Sequence, residues 1–473
     1  MKHIYYAACL ALTAFVFGSC DKFNGNIAPP NQELTFFKYY GHVYTQTAAD
    51  VAQIATDGGY IIFGSTTSFN SESDRGLYNN FYVVRTDSLG NEIWSRSYGA
   101  AGYDNTARRV IVLPEDGGFL LAGTRQRIDF STGQAIRAEK RVHLIKIDLE
   151  GAVVEEGILP DAGGSTGVNF DYELNDIKML PDGNFVFTGT TTNVNTNKPA
   201  YNPVTDRTDI YTVRLVNNTI TSIAPPAWQS AYGFNGNDYG VAIHPSRNGL
   251  IITGTTETYE NNSAQLEYIV VKYVQDFPGI SNQGVFGDLG KDLIAADACY
   301  DSTAGVLTII GNERLSLATG GEQAGQLAFM QVDVPNNSNT ISRKSITTPC
   351  IYTNGSPQKA GTGSQAASIL LLPENAGYLV TSTSTRIAGI NNDMHVLRIT
   401  PQLQVQWDWL FGTGRTLEKA GKAIPVLKGA PDAVPTLAGY AFTGTFDFGG
   451  GNTMIGLIKS NSSGELSTDI GDE

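Results

Sequence analysis

A short apolar run returns seven times along this chain, and that repetition limits the possible folds more than any other feature. It reads GYIIFGS at Gly59–Ser65, GFLLAGT at Gly118–Thr124, NFVFTGT at Asn184–Thr190 and GLIITGT at Gly249–Thr255. It continues as GVLTIIG at Gly305–Gly311, GYLVTST at Gly377–Thr383 and GYAFTGT at Gly439–Thr445. Equivalent positions (Gly64, Gly123, Gly189, Gly254, Gly311, Ser382, Gly444) are separated by 57 to 71 residues. A repeat this long, made of strands, supplies one sheet per repeat, and such sheets bury their faces by stacking in a circular array.

Each run is the second strand of its repeat. Turn signals precede it: Thr56-Asp57-Gly58, Glu115-Asp116-Gly117, Pro181-Asp182-Gly183 and Arg247-Asn248-Gly249. Upstream lie Val51–Ala55, Ala107–Leu113, Asp176–Leu180, Val241–His244, Leu293–Cys299, Ala366–Leu372 and Lys422–Leu427, small alternating segments suited to an innermost strand. A third strand follows as FYVVRTD (Phe81–Asp87), VHLIKID (Val142–Asp148), IYTVRLV (Ile210–Val216) and four further copies. A fourth carries an aromatic five residues before a glycine, as in Trp94 and Gly99, Trp228 and Gly233, Trp407 and Gly412. Four strands per repeat and no helical periodicity predict an all-β, seven-bladed β-propeller.

The last repeat stops after its third strand, MIGLIKS at Met454–Ser460. Phe36-Phe37-Lys38-Tyr39-Tyr40-Gly41 matches Trp94-Ser95-Arg96-Ser97-Tyr98-Gly99 in register, so the N-terminal strand is expected to complete the seventh blade. Open sheet edges are thereby avoided. The repeats resemble the Asp-Gly-Gly-Tyr propeller repeats common in secreted and lipid-anchored proteins of Bacteroidota. That resemblance covers residues 34–460 and implies architecture rather than activity, because such propellers serve many roles.

The first 19 residues read as a targeting segment: Lys2 and His3, an apolar run Ala7–Phe17, then Gly18-Ser19-Cys20. A run this short cannot span the hydrocarbon core, which is about 30 Å thick. Its ending resembles the bacterial lipobox, with Phe17 where that box usually has Leu, and implies lipidation of Cys20. The resemblance points to an outer-membrane lipoprotein of the cell envelope, with Cys20–Glu33 as a flexible tether and Asn461–Glu473 as a polar acidic tail. An ordinary secretory signal with an incidental Cys20 is the alternative. Asp21-Lys22 faintly resembles the surface-export signals of such lipoproteins, and Asp87-Ser88-Leu89 their O-glycosylation site. Cys299 and Cys350 fall at opposite ends of one predicted sheet, too far apart for a disulfide, and are expected to be free, partly buried thiols. The net charge of −14 disfavours nucleic acid.

Strand polarity sorts the links onto two faces. First-to-second and third-to-fourth links are short hairpins such as Asp87-Ser88-Leu89-Gly90-Asn91. Second-to-third and blade-to-blade links are long and share the opposite face: Ser68–Asn80, Gln126–Arg141, Thr192–Asp209, Thr258–Glu267 and Thr348–Ser364. Long loops on a rigid scaffold are where binding usually resides. The N-terminal strand begins on the short-hairpin side, which lets the long-loop face point away from a membrane.

That face carries the candidate binding residues Tyr103, Asp104, Asn105, Phe170, Tyr172, Phe234, Asn237, Tyr239 and Tyr259. Aromatic faces beside short polar acceptors suit a glycan or polar peptide; the same residues also suit loop packing and turn chemistry. Asp104, Asp238 and Asp292 recur after an aromatic-glycine pair, and Arg85, Lys146, Arg214, Lys272, Arg398 and Lys459 recur in the third strand, a repetition that implies support of the blades. His143 and His395 take the place held by Tyr82 and Tyr211 in other blades. No Cys/His metal spacing, calcium loop, phosphate loop or nucleophile elbow occurs, so neither metal nor cofactor is expected and no catalytic residue is nominated. The leading expectation is a non-enzymatic binding or scaffold module for a protein or glycan partner, such as an outer-membrane complex. A glycan hydrolase or lyase with unrepeated axial acids, and a structural surface protein without a ligand, are the alternatives.

Overall fold

The computed structural model describes residues 35–466 except 69–77, 115–116, 130–135, 161–169, 195–206, 217, 224–226, 261–262, 275–278, 289, 316–325, 337, 339, 348–349, 354–355, 360–364, 374–375, 386–391, 413–417 and 429–435. The stretch expected to be a targeting segment and tether, with Cys20, lies outside the described residues. β1 (Phe36–Tyr40) is followed by blade 1: β2 (Gln46–Gln53), β3 (Tyr60–Thr66), β4 (Asn80–Thr86) and β5 (Glu92–Tyr98). Blade 2 is β6 (Tyr103–Val112), β7 (Phe119–Asp129), β8 (Ile136–Ile147) and β9 (Val153–Leu159). Blade 3 is β10 (Tyr172–Met179), β11 (Phe185–Thr191), β12 (Asp209–Leu215) and β13 (Trp228–Tyr232). Blade 4 is β14 (Asp238–Ser246), β15 (Gly249–Glu260), β16 (Ser263–Val274) and β17 (Ile280–Phe286). Blade 5 is β18 (Lys291–Asp301), β19 (Val306–Leu315), β20 (Gln326–Asp333) and β21 (Ser342–Thr347). A hairpin of β22 (Cys350–Thr353) and β23 (Ser356–Lys359) intervenes. Blade 6 is β24 (Gln365–Leu371), β25 (Tyr378–Thr385), β26 (Asn392–Ile399) and β27 (Val405–Phe411). Blade 7 is β28 (Lys419–Lys428), β29 (Thr436–Gly449), β30 (Asn452–Ser460) and, as its outer strand, β1.

The expected seven-bladed ring and its closure are therefore present. β1 pairs antiparallel with β30, Phe36 opposite Lys459 and Tyr40 opposite Ile455. In blade 1 the matching pairs are Trp94 opposite Arg85 and Tyr98 opposite Phe81, the register read from the sequence. Tyr40 Oη donates to the Gly90 carbonyl at 2.6 Å, and Tyr98 Oη donates to Gly151 at 2.7 Å one blade on. The chain ends thus make the contact that internal blades make. Asn461 continues the pattern: its carboxamide oxygen accepts the Ser463 and Glu465 N–H groups, as Asp87 does for Leu89 and Asn91. The start of the polar tail is the third-to-fourth-strand turn of blade 7.

The core consists of seams between blades. One buried cluster joins Phe63, Phe81 and Tyr98 of blade 1 to Val110, Leu121 and Ile145 of blade 2. Another joins Tyr40, Ala441 and Leu457 of blade 7 to Val51, Ile62 and Tyr82 of blade 1. Because neighbours cover both faces of every sheet, β3 and β11 are buried at each position and read as unbroken apolar runs rather than alternating ones.

The glycine and the hydroxyl that end most of the runs have separate causes. A Cβ on Gly64 would lie 2.1 Å from the Thr47 carbonyl, and one on Gly189 1.7 Å from that of Glu173, because the innermost strand passes directly over them. The next residue reaches the following blade: Ser65 Oγ accepts the Ala107 N–H at 3.0 Å, and Thr124 Oγ1 that of Leu174 at 3.1 Å. Thr255, Asn312, Thr383 and Thr445 do the same for Ala295, Ala366, Ala420 and Ala48. These bonds satisfy buried amides that would otherwise carry a desolvation cost.

Three expectations need correction. The innermost strands begin earlier than expected, by three to five residues in five of the blades and by one or two in blades 5 and 6, because a β-bulge interrupts each one and hides its first half from a period-two reading. Thr258–Glu267 is mostly ladder, with pairing out to Glu260 and Ser263, so Tyr259 sits on a strand. The long link Thr348–Ser364 contains the β22–β23 hairpin.

Candidate functional site

Most of the candidate residues of the long-loop face lie at the beginnings of innermost strands, in the seams of three successive blades. Asp104 is buried and accepts both the backbone N–H and the Nδ2 of Asn79, each at 2.8 Å. Asn105 is buried, donates to Asn79 O, and meets His143 Nδ1 at 3.0 Å. Tyr103 lies under the Arg125 guanidinium, 3.5 Å from ring centroid to Cζ. Phe170 packs against the seam of blades 2 and 3, where buried Tyr172 contacts Tyr211 with ring centroids 4.8 Å apart. Phe234 packs on Tyr232 in the seam of blades 3 and 4. Asn237 Oδ1 accepts the Arg207 N–H at 3.2 Å, while its Nδ2 donates to Glu257 at 2.7 Å. Tyr239 and Tyr259 differ, standing 40% and 43% exposed.

The recurring acids clasp one blade to the next. Asp104, Asp171, Asn237 and Asp292 hold equivalent positions and accept backbone N–H groups of Asn79, Lys140, Arg207 and Leu266 in the preceding blade. Asp238 stands one residue further along, at the place of Asn105, which corrects the equivalence read from the sequence. The recurring cations work on the opposite face: Arg85 donates to Leu149 O at 2.8 Å, and Lys272 to Pro335 O and Ser338 O at 3.1 and 2.8 Å. His395 pairs with Asp408 at 3.0 Å, and His143 stacks on Phe81.

The axis holds charged residues that sequence reasoning did not single out. Each innermost strand bulges at the same level, which sets two consecutive residues of every blade at matching positions around the axis. The first ring is Ala49, Arg108, Asn175, Val241, Ala296, Ala367 and Gly421; the second is Asp50, Arg109, Asp176, Ala242, Asp297, Ser368 and Lys422. In the second ring the acids fall in blades 1, 3 and 5, and each accepts a backbone N–H of the next blade. Asp50 takes that of Val110, Asp176 that of Ile243 and Asp297 that of Ile369, each at 3.0 Å. Arg109 bridges Asp176 at 2.7 Å and Asp297 at 3.8 Å, and Lys422 binds Asp297 from across the ring. Lys178 adds a contact to Asp176 at 3.3 Å.

The charge states follow from this packing. Burial raises the Asp176 carboxyl, but Lys178, Arg109 and Lys422 outweigh it and hold the group well below the usual carboxylate range. Asp297 is likewise lowered, burial being overcome by Lys422 and Arg109. Asp50 is raised, because burial exceeds the help of Arg109 and the Val110 N–H. His244, one turn of the pleat below, is pulled down to about 4 by burial and by Lys178. Cys299 at the same level is a free, buried thiol with its pKa raised by burial; the Cys350 side chain lies outside the described residues. Among the described residues, no group of three or more His, Cys, Asp or Glu could hold a metal ion.

Above the second ring, on the long-loop side, a cavity of about 510 Å³ opens along the axis. All seven blades line it. Its described lining is largely alanine, threonine and serine, and its charged members are Arg108, Arg109, Lys419 and Lys422. The three axial carboxylates and the nine rim candidates are not part of that lining.

No protein-family model and no curated protein matches the chain. Among solved structures it is similar to an oligogalacturonate lyase from Vibrio parahaemolyticus, at 11% identity and a TM-score of 0.44, covering 91% of this chain and 98% of that one. It is also similar to a puromycin-hydrolyzing peptidase from Mycobacterium tuberculosis, at 12% identity and a TM-score of 0.40, covering 86% of this chain and 52% of that one. At this level of likeness no functional residue is carried over from either protein.

Proposed function

We propose that this chain is a lipid-anchored, non-enzymatic propeller of the bacterial envelope that presents its long-loop face to a protein or glycan partner. The observation that carries the reading is an asymmetry of exposure. Tyr44, Tyr239, Tyr259 and Phe448 are exposed on the long-loop side together with Val43, and Tyr39 at the end of β1 adjoins them, whereas the exposed residues of the short hairpins and the other outer strands are mainly aliphatic (Leu89, Ile93, Val153 and Val154), with Trp409 of β27 the aromatic exception. Exposed aromatic rings on a rigid frame are the usual anchors of a recognition surface. Most recurring polar residues are engaged in joining blades, which leaves the unrepeated rim as the place for selectivity.

Two measurements test it. Cys20→Ala should move the protein from membrane to soluble envelope fractions; unchanged partitioning would remove the lipid anchor. A pull-down from detergent-solubilised envelope should capture a partner that the Tyr239→Ala/Tyr259→Ala double variant loses and a Val153→Ser/Val154→Ser variant keeps. Equal capture by all three would sink the binding-face reading. An enzyme acting on glycans is the second reading, favoured by the convergence of Asp176 and Asp297 on Arg109. Against it, each of these carboxylates holds a neighbouring blade's amide and lies beneath the cavity. A hydrolysis and lyase screen on envelope glycans, comparing wild type with Asp176→Asn, decides between them.

A further inference from the structure

We propose that the axial cavity is a binding site for a small organic anion, a carboxylate- or phosphate-bearing ligand whose charged group is met by Arg108 and Lys419. This concerns the axis rather than the rim, and it stands whether or not the rim takes a partner.

The first argument is charge. The whole chain carries a net charge of −14, yet every charged side chain among the described lining of this cavity is cationic. Two of the four cations are matched: Arg109 by Asp176 and Asp297, and Lys422 by Asp297. Arg108 and Lys419 have no such match. The Arg108 Nε is buried without a hydrogen-bond partner, and among the described residues no carboxylate pairs with its guanidinium or with the Lys419 ammonium. Glu173, level with Lys419 on the innermost strand of blade 3, is bound by Lys140.

The second argument is broken symmetry. Arg108 belongs to the ring of bulge residues, and its six counterparts are Ala49, Asn175, Val241, Ala296, Ala367 and Gly421. A residue that supported the ring would recur, as the seam threonines do. Arg108 instead lies against Arg109, and burial together with that like charge disfavours its protonated form. A guanidinium kept beside a second one, with its Nε buried and unmatched and no carboxylate paired with it among the described residues, is an arrangement that costs the fold and that an anion relieves.

The third argument is room and shape. About 510 Å³ lies within the range of small-molecule sites. Alanines leave space at the wall, and hydroxyls of Thr47, Ser65, Thr106 and Thr445 line it. Ser65 and Thr445 accept backbone N–H groups, so their own hydroxyl protons are oriented away from those amides and can be donated to a ligand oxygen. Arg108 supplies a planar fork of donors that fits carboxylate and phosphate oxygens, and Lys419, exposed at the opening, supplies a point charge.

The test is isothermal titration calorimetry of the folded protein at low salt with glucuronate, citrate and glucose 6-phosphate, and with glucose as the neutral control. The expected result is one site per chain for at least one anion, with affinity falling as salt rises and glucose at least about tenfold weaker. Binding by the carboxylates alone, or by the phosphate ester alone, identifies which anion class the site takes. Arg108→Gln should weaken that binding about tenfold or more while leaving the melting temperature equal or higher, since no ion pair among the described residues is lost. Lys419→Gln provides an independent variant at the opening. Absence of binding by all three anions, or undiminished binding to the Arg108→Gln/Lys419→Gln double variant, would overturn the proposal.

Discussion

The glycines show how one residue type answers two unrelated demands. Gly183 closes the hairpin between β10 and β11, where Leu180 N–H donates to Asn184 O and Gly183 N–H to Leu180 O, and its φ is +79° with open space around it. Gly189 is required by contact instead, since a methyl group would press into the Glu173 carbonyl. Gly183→Ala should therefore cost about 1 kcal/mol, the ordinary penalty of a left-handed backbone with a side chain. Gly189→Ala should cost about 3 kcal/mol or more, because the backbone of β10 must move. Urea denaturation of both variants checks this; equal losses would show that close approach is not what selects the repeat glycine. Both glycines were visible in the sequence as repeats. Thr124, which follows the corresponding Gly123, was equally visible, but its partner amide, that of Leu174, lies 50 residues away in another blade, so its purpose was not. Arg108 was invisible for a different reason: the bulge that turns it inward is a property of strand pairing.

At the scale of elements, the closing strand is the most exacting feature. β1 contributes five backbone pairs to β30, the buried ring of Tyr40 and the Tyr40–Gly90 bond to blade 1. Without it β30 becomes an edge and the seam between blades 7 and 1 loses one wall. Deleting residues 35–41 should lower the melting temperature by at least about 5 °C, read by differential scanning calorimetry; an unchanged value would contradict ring closure as a source of stability. The register of this strand was legible because Phe36 to Gly41 aligns with Trp94 to Gly99, sharing an aromatic start, a basic third residue and a final Tyr-Gly. The first halves of the innermost strands were not, because Gln46, Thr47, Asn105 and Thr106 are polar residues ahead of a bulge and carry no alternation that one-dimensional reading can use.

For the molecule as a whole, the axis couples stability to pH. His244 is held neutral, with its pKa near 4 against an ordinary 6.5. A group with a depressed folded pKa contributes its stabilisation above the unfolded value and loses it as pH falls, since the unfolded chain takes up the proton first. Stability should therefore decline from pH 6.5 toward pH 4, with this histidine contributing a slope of up to about 1.4 kcal/mol per pH unit. The lowered carboxyls of Asp176 and Asp297 act in the same sense at still lower pH, and the raised Asp50 acts against them. His244→Gln should flatten the decline between pH 6.5 and 4 in chemical denaturation series; an unaltered slope would place the titrating group elsewhere.

Seven sheets, their strand order, the joining of the chain ends and the division into a short-hairpin face and a long-link face follow from the sequence alone, because each depends on repeated local patterns and on the fixed geometry of antiparallel strands. What the tertiary structure alone decided is which polar residues are already engaged. Asp104, Asn105 and Asn237 look like binding residues in a linear reading and turn out to tie neighbouring blades together, whereas Arg108 looks like one charge among many and stands at the axis without a counter-ion in the described fold. Pairing of charges depends on distances between residues sixty or more positions apart, and only the closed ring sets those distances.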